Sequence, residues 1–365
     1  MADTAGTSGA AGGVPAGQPG RIRNVALIGH SGAGKTTLVE ALLAATGTIA
    51  RPGRVEEGTT VSDFDEIEVR QGRSVNLTLS PIGHAGIKIN LLDTPGYADF
   101  TGDLRAGLRA ADSALFAVPA TDGVDGLTRM LWEECAQVGM PRAVVITKID
   151  HQRADFDACL AACRDAFGAS VAPLYLPVSQ GESSGAHGLI GLLSQQLFDY
   201  SGSGSGPARP GPGSGRAQAV IPDSYAAQVE VLRGDLIEGI IQESEDESLM
   251  DRYLSGEQID PKVLIEDLEK AVARGSFYPV LAASSPRGIG LTELLEVMTQ
   301  AFPSPDEHPL PTVTTLTGEP VSGLSCDPAG PLLAEVVKTT SDRDVGRVSL
   351  VRVFSGTLRA DAAVH

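Results

Sequence analysis

Residues that fit a phosphate-binding loop lie near the start of this 365-residue sequence. They form the run Gly29-His30-Ser31-Gly32-Ala33-Gly34-Lys35-Thr36, which matches the pattern G-x-x-x-x-G-K-[ST]. The glycines let successive backbone N–H groups converge on phosphate oxygens, the Lys35 ammonium adds a full positive charge, and the Thr36 hydroxyl can ligate Mg²⁺. This run and the following Thr37 predict a site for a nucleoside polyphosphate.

A second motif supplies the carboxylate that such a site needs. The run Asp93-Thr94-Pro95-Gly96 ends the apolar segment INLLD. From the end of a strand, the Asp93 carboxylate can hold Mg²⁺ through water, while the Gly96 amide can approach a terminal phosphate. The two motifs together are typical of proteins that bind ATP or GTP.

A third motif separates these two nucleotides. The run TKID, which contains Thr147, Lys148 and Asp150, ends the apolar segment AVVI at the sheet edge where ligands of open α/β folds bind. The Asp150 carboxylate can accept hydrogen bonds from two guanine N–H donors, and adenine has no such pair. Ser284 and Ser285 end the segment FYPVLAAS and can support the base from the other side. We therefore expect GTP, and Asp150 argues against the alternative of an ATP-dependent P-loop kinase or transferase.

The motifs lie between elements that predict an α/β fold. Short apolar segments typical of strands alternate with helical patterns, and this order predicts a mostly parallel sheet with helices on both faces. The predicted strands cover residues 23–30, 75–80, 87–92, 114–118, 143–146 and 277–282. The predicted helices cover residues 98–111, 126–138 and 291–302.

Two further segments interrupt this alternation. In residues 201–216, 13 of 16 residues are Gly, Ser or Pro, which predicts a mobile loop. Residues 221–274 have a helical pattern, and 222–270 contain 14 acidic and 4 basic residues, a balance of −10. This acidic face is either a solvated surface or a surface for a partner.

Composition limits the class of protein. The chain has 46 acidic and 28 basic residues, a formal charge of −18, and 42% apolar residues, which indicates folded domains rather than a disordered polyelectrolyte. The acidity argues against binding to free DNA. Residues 1–20 are mostly Gly and Ala, and predict a disordered arm rather than a signal peptide. Since no run of 18 apolar residues occurs, we expect a cytoplasmic protein without a membrane span.

Four cysteines do not form a metal or disulfide pattern. Cys135 and Cys326 are isolated, while Cys159 and Cys163 lie four positions apart in a helical pattern. A thiol pair facing one side of the helix is possible, but small side chains in a core explain this spacing better.

The sequence resembles translational GTPases, specifically elongation factor G and its bacterial elongation factor G-like relatives. The resemblance runs from about residue 21 to the last residue, and its motifs are GHSGAGKTT, RQGRSV, DTPGYADF, TKID, SEDESLMDRYL, FYPVLAASS and GRVSLVRVFSGTL. It implies a monomeric P-loop GTPase that binds GTP or GDP with Mg²⁺ and acts on the ribosome.

The resemblance also implies a domain organisation. We expect a GTP-binding domain over residues 21–310, with an inserted α+β subdomain at about 155–275 that faces the ribosomal stalk protein. Residues 311–365 are expected to form a linker and the start of a β-barrel domain. About thirty-five residues cannot close a barrel, so we expect a fragment of a longer protein, with a small hairpin layer packed on the first domain as the alternative.

Four residues depart from the pattern of the family. Ser74 stands where the family has a threonine that ligates Mg²⁺, and its hydroxyl keeps that role. Thr147 replaces an asparagine, so we expect an amide contact to the base and the P-loop to be lost, and Gly32 replaces an acidic residue. Tyr97 stands where the family has the histidine that positions the attacking water. A phenol cannot take up a proton as an imidazole does, and we therefore predict slow hydrolysis.

Overall fold

The computed structural model describes residues 18–62, 68, 70, 74–179, 185–201, 217–315, 317–342 and 346–361. The predicted disordered arm, apart from residues 18–20, and the predicted mobile loop, apart from Ser201, lie outside the described residues.

A seven-stranded sheet forms the centre of the structure. Its strands are Ile22–Ile28 (β1), Thr78–His84 (β2), Ile87–Asp93 (β3), Ser113–Pro119 (β4), Arg142–Thr147 (β5), Val171–Pro173 (β6) and Tyr278–Ala282 (β11). Their order is β2-β3-β1-β4-β5-β11-β6, and among the described strands of this sheet β2 alone runs antiparallel to its neighbour. All seven residues of β4 are buried, as expected for a strand covered by helices on both faces. The predicted mostly parallel α/β fold is confirmed.

Eight α-helices lie in the described part of the chain. They are Lys35–Ala45 (α1), Thr101–Ala110 (α2), Gly126–Gln137 (α3), Phe156–Phe167 (α4), Asp223–Gln242 (α5), Ser248–Leu254 (α6), Pro261–Ala273 (α7) and Leu291–Gln300 (α8). Aspartates cap three of them: the side chains of Asp125, Asp155 and Asp260 each accept a hydrogen bond from a backbone N–H of the first turn. These caps fix where the helices begin.

A second, antiparallel sheet lies between two strands of the main sheet in chain order. It consists of Tyr175–Ser179 (β7), Ala186–Gly191 (β8), Gln196–Asp199 (β9) and Ala217–Ala219 (β10), and the helices α5, α6 and α7 follow it. Because β6 pairs with β11, the chain leaves the main sheet after Pro173 and returns to it at Tyr278. The sheet and these helices form the α+β part, while its predicted limits at about 155–275 stay a prediction.

A β-hairpin packs against helix α2 and the residue before β4. It consists of Leu333–Asp342 (β12) and Gly346–Ser355 (β13), which pair antiparallel. The Arg352 guanidinium donates from Nη2 to Asp112 Oδ1 (2.6 Å) and from Nη1 to Asp112 Oδ2 (3.2 Å), and both side chains are buried. The hairpin is thus joined to the main sheet by a buried ion pair.

Two hydrophobic clusters fill the space on the two sides of the main sheet. In one of them the rings of Trp132 and Phe167 stack at 4.1 Å, and the Arg142 guanidinium lies 4.5 Å from the Trp132 ring centre. Cys159 and Cys163 are buried in the same cluster and form no disulfide, in keeping with the prediction that they are core residues. No helix in the described ranges is both long and apolar enough to span a bilayer.

Candidate functional site

The predicted phosphate-binding loop connects β1 to α1. Gly32 and Gly34 have φ values of 82° and 87°, in the left-handed region that favours glycine. A Cβ on Gly29 would lie 2.4 Å from the Ala117 carbonyl oxygen, so the loop passes too close to β4 for any larger residue. The glycines of the motif are therefore required by this turn.

Lys35 and Thr37 begin helix α1. The Lys35 ammonium is buried and donates to the carbonyl oxygens of Gly29 (2.7 Å) and His30 (3.2 Å), which curls the lysine over the loop. Thr37 is exposed on the first turn of the helix. A cation and a helix N-terminus thus face the same concave loop, and this arrangement attracts anions.

Three predicted metal ligands come together beside this loop. The Thr36 hydroxyl donates to Asp93 Oδ2 (2.8 Å), and Thr36 Oγ1 lies 3.0 Å from Ser74 Oγ. These residues come from α1, from the end of β3 and from the segment before β2. Hydroxyl and carboxylate oxygens are the ligands that Mg²⁺ prefers, so the set fits this ion by its chemistry.

The segment after β3 lies directly on the phosphate-binding loop. The Ser31 N–H donates to the Gly96 carbonyl oxygen (2.9 Å), and the Thr94 hydroxyl donates to the Leu27 carbonyl oxygen (2.5 Å). A Cβ on Gly96 would lie 2.5 Å from Ser31 N and 2.7 Å from Lys35 Nζ. Only glycine fits at this position, which places the Gly96 backbone beside the Lys35 ammonium.

Tyr97 follows this contact directly. It precedes the short 3₁₀ turn Ala98–Phe100, and its carbonyl oxygen accepts from the Phe100 N–H (3.0 Å). Its side chain is partly exposed. The phenol therefore belongs to the segment that connects β3 to helix α2 and contacts the phosphate-binding loop at Gly96.

The TKID motif makes a contact that the sequence did not predict. The Thr147 hydroxyl donates to the Ala33 carbonyl oxygen (2.7 Å), and both residues are buried. At position 147 the hydroxyl thus makes a P-loop contact in place of the asparagine amide, and the loss of the amide contact to the base stays a prediction. A hydroxyl reaches this carbonyl because β5 ends close to the loop, so an amide is not needed for it.

Asp150 and the two serines lie at the ends of neighbouring strands. The Ala283 N–H donates to the Ile146 carbonyl oxygen (2.8 Å), which places Ser284 and Ser285 beside the TKID motif. Lys148 has a φ of 58°, so the chain turns sharply after β5, and Asp150 is partly buried. The turn and the strand pairing gather the predicted base-binding residues at one edge of the sheet.

Two glutamates that the sequence motifs did not indicate hold parts of the chain between α1 and β2. Glu40, fully buried on α1, accepts from the N–H groups of Gly53 (2.8 Å) and Val61 (2.6 Å). Glu68, also buried, accepts at Oε1 from the N–H groups of Val75 and Asn76, both at 2.9 Å. Glu40 could have been suspected, since it follows Thr36 by one helical turn, but no local signal indicates Glu68.

One carboxylate beside the site has a shifted pKa. The hydroxyl of Thr121 lowers the pKa of Asp122 through a hydrogen bond of 2.7 Å, and the nearby charges of Lys148 and His30 lower it further. Asp122 is therefore ionised at neutral pH and adds a negative charge near the TKID motif.

These features define a class of protein: an α/β P-loop domain whose strand ends carry the motifs of a GTPase. The sequence family described as elongation factor Tu GTP binding domain matches residues 20–304, and the chain belongs to this family.

The chain is also similar to larger proteins. It is 60% identical over 367 residues to the elongation factor G-like proteins of Mycobacterium tuberculosis strains CDC 1551 / Oshkosh and H37Rv, covering 100% of this chain and 49% of each relative. A crystal structure of a Thermus thermophilus protein aligns with a TM-score of 0.77 and 36% identity, covering 92% of this chain and 46% of that protein. The chain spans about half the length of the curated relatives it matches.

Proposed function

We propose that this chain is the GTP-binding part of a translation factor of the elongation factor G-like type, which binds GTP or GDP with Mg²⁺. The observation that carries the proposal is the meeting of Thr36, Ser74 and Asp93 within hydrogen-bonding distance beside the phosphate-binding loop. These three residues would hold Mg²⁺, and the bound ion would neutralise charge on the phosphate oxygens. Lys35 and the loop N–H groups bind the phosphates.

Asp150 is proposed to select guanine. Its carboxylate accepts from two N–H donors of guanine, and Thr147, Lys148, Ser284 and Ser285 surround the base. The test is nucleotide competition, in which unlabelled GTP and GDP displace a fluorescent guanine nucleotide and ATP does not. Equal displacement by ATP and GTP would refute the proposed specificity.

Hydrolysis is proposed to be slow because Tyr97 stands at the position of the water-positioning residue. Lys35 stabilises charge on the phosphates, but a phenol donates a hydrogen bond and does not take up the proton of an attacking water as an imidazole does. We expect weak stimulation by ribosomes and a higher rate for Tyr97→His. Strong stimulation of the natural chain in its full-length protein would refute this point.

The proposed partner is the ribosome, including its stalk protein, and the proposed place of action is the cytoplasm, where the protein works as a monomer. The name of the Mycobacterium tuberculosis relatives, elongation factor G-like protein, supports a role in translation, which we propose to be translocation or ribosome disassembly and recycling. The acidic helices α5, α6 and α7 offer a charged surface to a basic partner.

A second candidate is a GTP-gated module that binds ribosomes and hardly hydrolyses GTP, which Tyr97 also supports. Sedimentation of the full-length protein with ribosomes, in GTP and in GDP, separates the two candidates when it is paired with turnover measurements. Retention in GTP without turnover favours the module, and turnover with release favours the factor.

A further inference from the structure

A lysine of the C-terminal hairpin connects two segments of the nucleotide site. Lys338, on β12, donates from Nζ to Asp103 Oδ2 (2.7 Å) and to Asn76 Oδ1 (3.1 Å). The side chains of Lys338 and Asp103 are 14% and 26% exposed. Because water is largely kept from this pair, the interaction is stronger than that of a surface ion pair.

One acceptor belongs to the segment that carries Ser74, and the other lies on a helix that packs beside the metal site. Asn76 follows Ser74 by two residues, and its backbone N–H donates to the buried Glu68 carboxylate (2.9 Å). Asp103 lies on α2, which packs tightly against the end of β3, since a Cβ on Gly107 would lie 2.7 Å from Thr94 Cγ2. Lys338 therefore touches one residue beside Ser74 and one helix beside Thr94.

We propose that Lys338 is a positioning residue of the nucleotide site, which holds Ser74 in place through Asn76. This inference rests on the proposed binding of GTP with Mg²⁺. The docked hairpin stabilises the arrangement in which the Ser74 hydroxyl lies beside Thr36, and this arrangement is the one that can ligate the metal. By thermodynamic reciprocity, a ligand that requires Ser74 in this place strengthens the docking of the hairpin.

The same interface contains a matched control. Arg109 on α2 forms an ion pair with Glu335 on β12, so this pair joins the same two elements as Lys338 and Asp103. The side chains of Arg109 and Glu335 are 68% and 29% exposed. They bond to each other and not to Asn76, so this pair is separate from the link to the Ser74 segment. Glu335→Gln removes a charge from the interface and leaves the link to Ser74 intact.

The test uses the full chain and three variants. Lys338→Met removes both hydrogen bonds. Asn76→Ala removes the link from Lys338 to the Ser74 segment together with the long hydrogen bond from Asn76 Nδ2 to Glu68 Oε1 (3.4 Å), and it leaves the Lys338–Asp103 pair in place. We expect both variants to weaken binding of a non-hydrolysable GTP analogue with Mg²⁺ by roughly tenfold, as for the loss of a hydrogen bond to a charged group. GDP binding should change less than twofold, because GTPase segments of this kind are held by the terminal phosphate with its Mg²⁺ and are released when that phosphate is absent. Glu335→Gln should leave both affinities within twofold. The double variant of Lys338 and Asn76 should be no weaker than Lys338→Met alone.

A second measurement needs no nucleotide. Amide hydrogen exchange at Val75 and Asn76 reports whether their bonds to Glu68 stay closed. We expect exchange there to become faster in Lys338→Met and in Asn76→Ala, and to stay unchanged in Glu335→Gln. Equal effects of Lys338→Met and Glu335→Gln on both nucleotides, or unchanged exchange in the first two variants, would overturn the inference. If the natural chain binds no guanine nucleotide, the proposed function fails, while the exchange data still decide the role of Lys338.

Discussion

Replacing Arg352 with Met should detach the C-terminal hairpin from the main sheet. In the structure Asp112 is 1% exposed and Arg352 is 8% exposed. Arg352 Nη1 also donates to the Ala110 carbonyl oxygen (2.9 Å), and Asn24 Nδ2 is a further donor to Asp112 Oδ2 (2.7 Å). After the substitution, the buried Asp112 carboxylate keeps the Asn24 amide and loses the opposite charge. Methionine has about the length of the aliphatic part of arginine, so loss of packing contributes little.

The expected cost follows from this geometry. Removing one partner of a buried ion pair leaves an uncompensated buried charge and typically costs about 3–5 kcal/mol. This energy changes the equilibrium constant between the docked and the detached hairpin by a factor of about 10² to nearly 10⁴. The exposed Arg109–Glu335 pair should contribute less than about 1 kcal/mol by comparison, because water screens it.

Amide hydrogen exchange measures this equilibrium strand by strand. In Arg352→Met, protection should fall in β12 and β13 and persist in β4 and β5, while Arg109→Gln should leave the hairpin nearly as protected as in the natural chain. Asp112→Asn combined with Arg352→Met should cost less than the sum of the two single changes. A loss of less than about 1 kcal/mol in Arg352→Met, or an equal loss of protection in β4, would refute the assigned role of the buried pair.

Three further substitutions test the nucleotide site and the core. Gly96→Ala places a methyl group 2.5 Å from Ser31 N and should weaken the binding of nucleotide by at least about tenfold. Circular dichroism should show that the fold is retained, and an unchanged affinity would contradict the close approach. Thr147→Val removes the buried hydrogen bond to the P-loop, which costs about 1–3 kcal/mol, so titration should show equal losses for GTP and GDP, with Thr147→Ser as the control that keeps the hydroxyl. Burial raises the pKa of Cys135 to about 12, so a thiol reagent at pH 8 should modify the partly exposed Cys326 first, and Cys135 only after unfolding. The folded-state pKa of Cys135 lies above its unfolded value of about 8.5, so its contribution to stability is complete below that pH and is lost as pH rises toward 12. Between pH 8 and pH 10, the free energy of unfolding measured in urea should therefore fall less in Cys135→Ala than in the natural chain.

Much of the fold could be predicted because its central strands are apolar and bounded by clear turns. The buried run of β4 and the pair β2 and β3 around a glycine-containing turn are recognisable from residue pattern alone. The strand β6 was not predicted, because a strand of three residues has no period and forms only through its pairing with β11. Strands β9 and β10 are also too short to show a period, while Pro177 interrupts the pattern of β7 and Gly188 that of β8, so these four strands were not predicted either.

The candidate site was predicted as far as its residues lie in continuous motifs. The loop at residues 29–36 and the runs DTPG and TKID have local spacing that reflects their chemistry. The contact of the Thr147 hydroxyl with the P-loop was not predicted, since the reach of a side chain depends on how closely the end of β5 approaches the loop. Lys338 follows Asn76 by 262 positions, and no local sequence pattern predicts a contact over that separation.

The formal charge of −18 does not oppose the binding of an anionic nucleotide, because the charges near the site are compensated locally. Glu40 accepts two backbone hydrogen bonds, and Glu68 does the same, so each carboxylate is neutralised in part by the segment it holds. The buried Lys35 ammonium and the N-terminus of α1 then provide the field that a phosphate meets at close range. Exposed charges beyond a distance of about 8 Å are screened at physiological ionic strength, so the excess acid of the helical insertion affects its own surroundings more than the phosphates. Glu40 and Glu68 thus serve the site by fixing its backbone, and the net charge of the chain says little about its ligand.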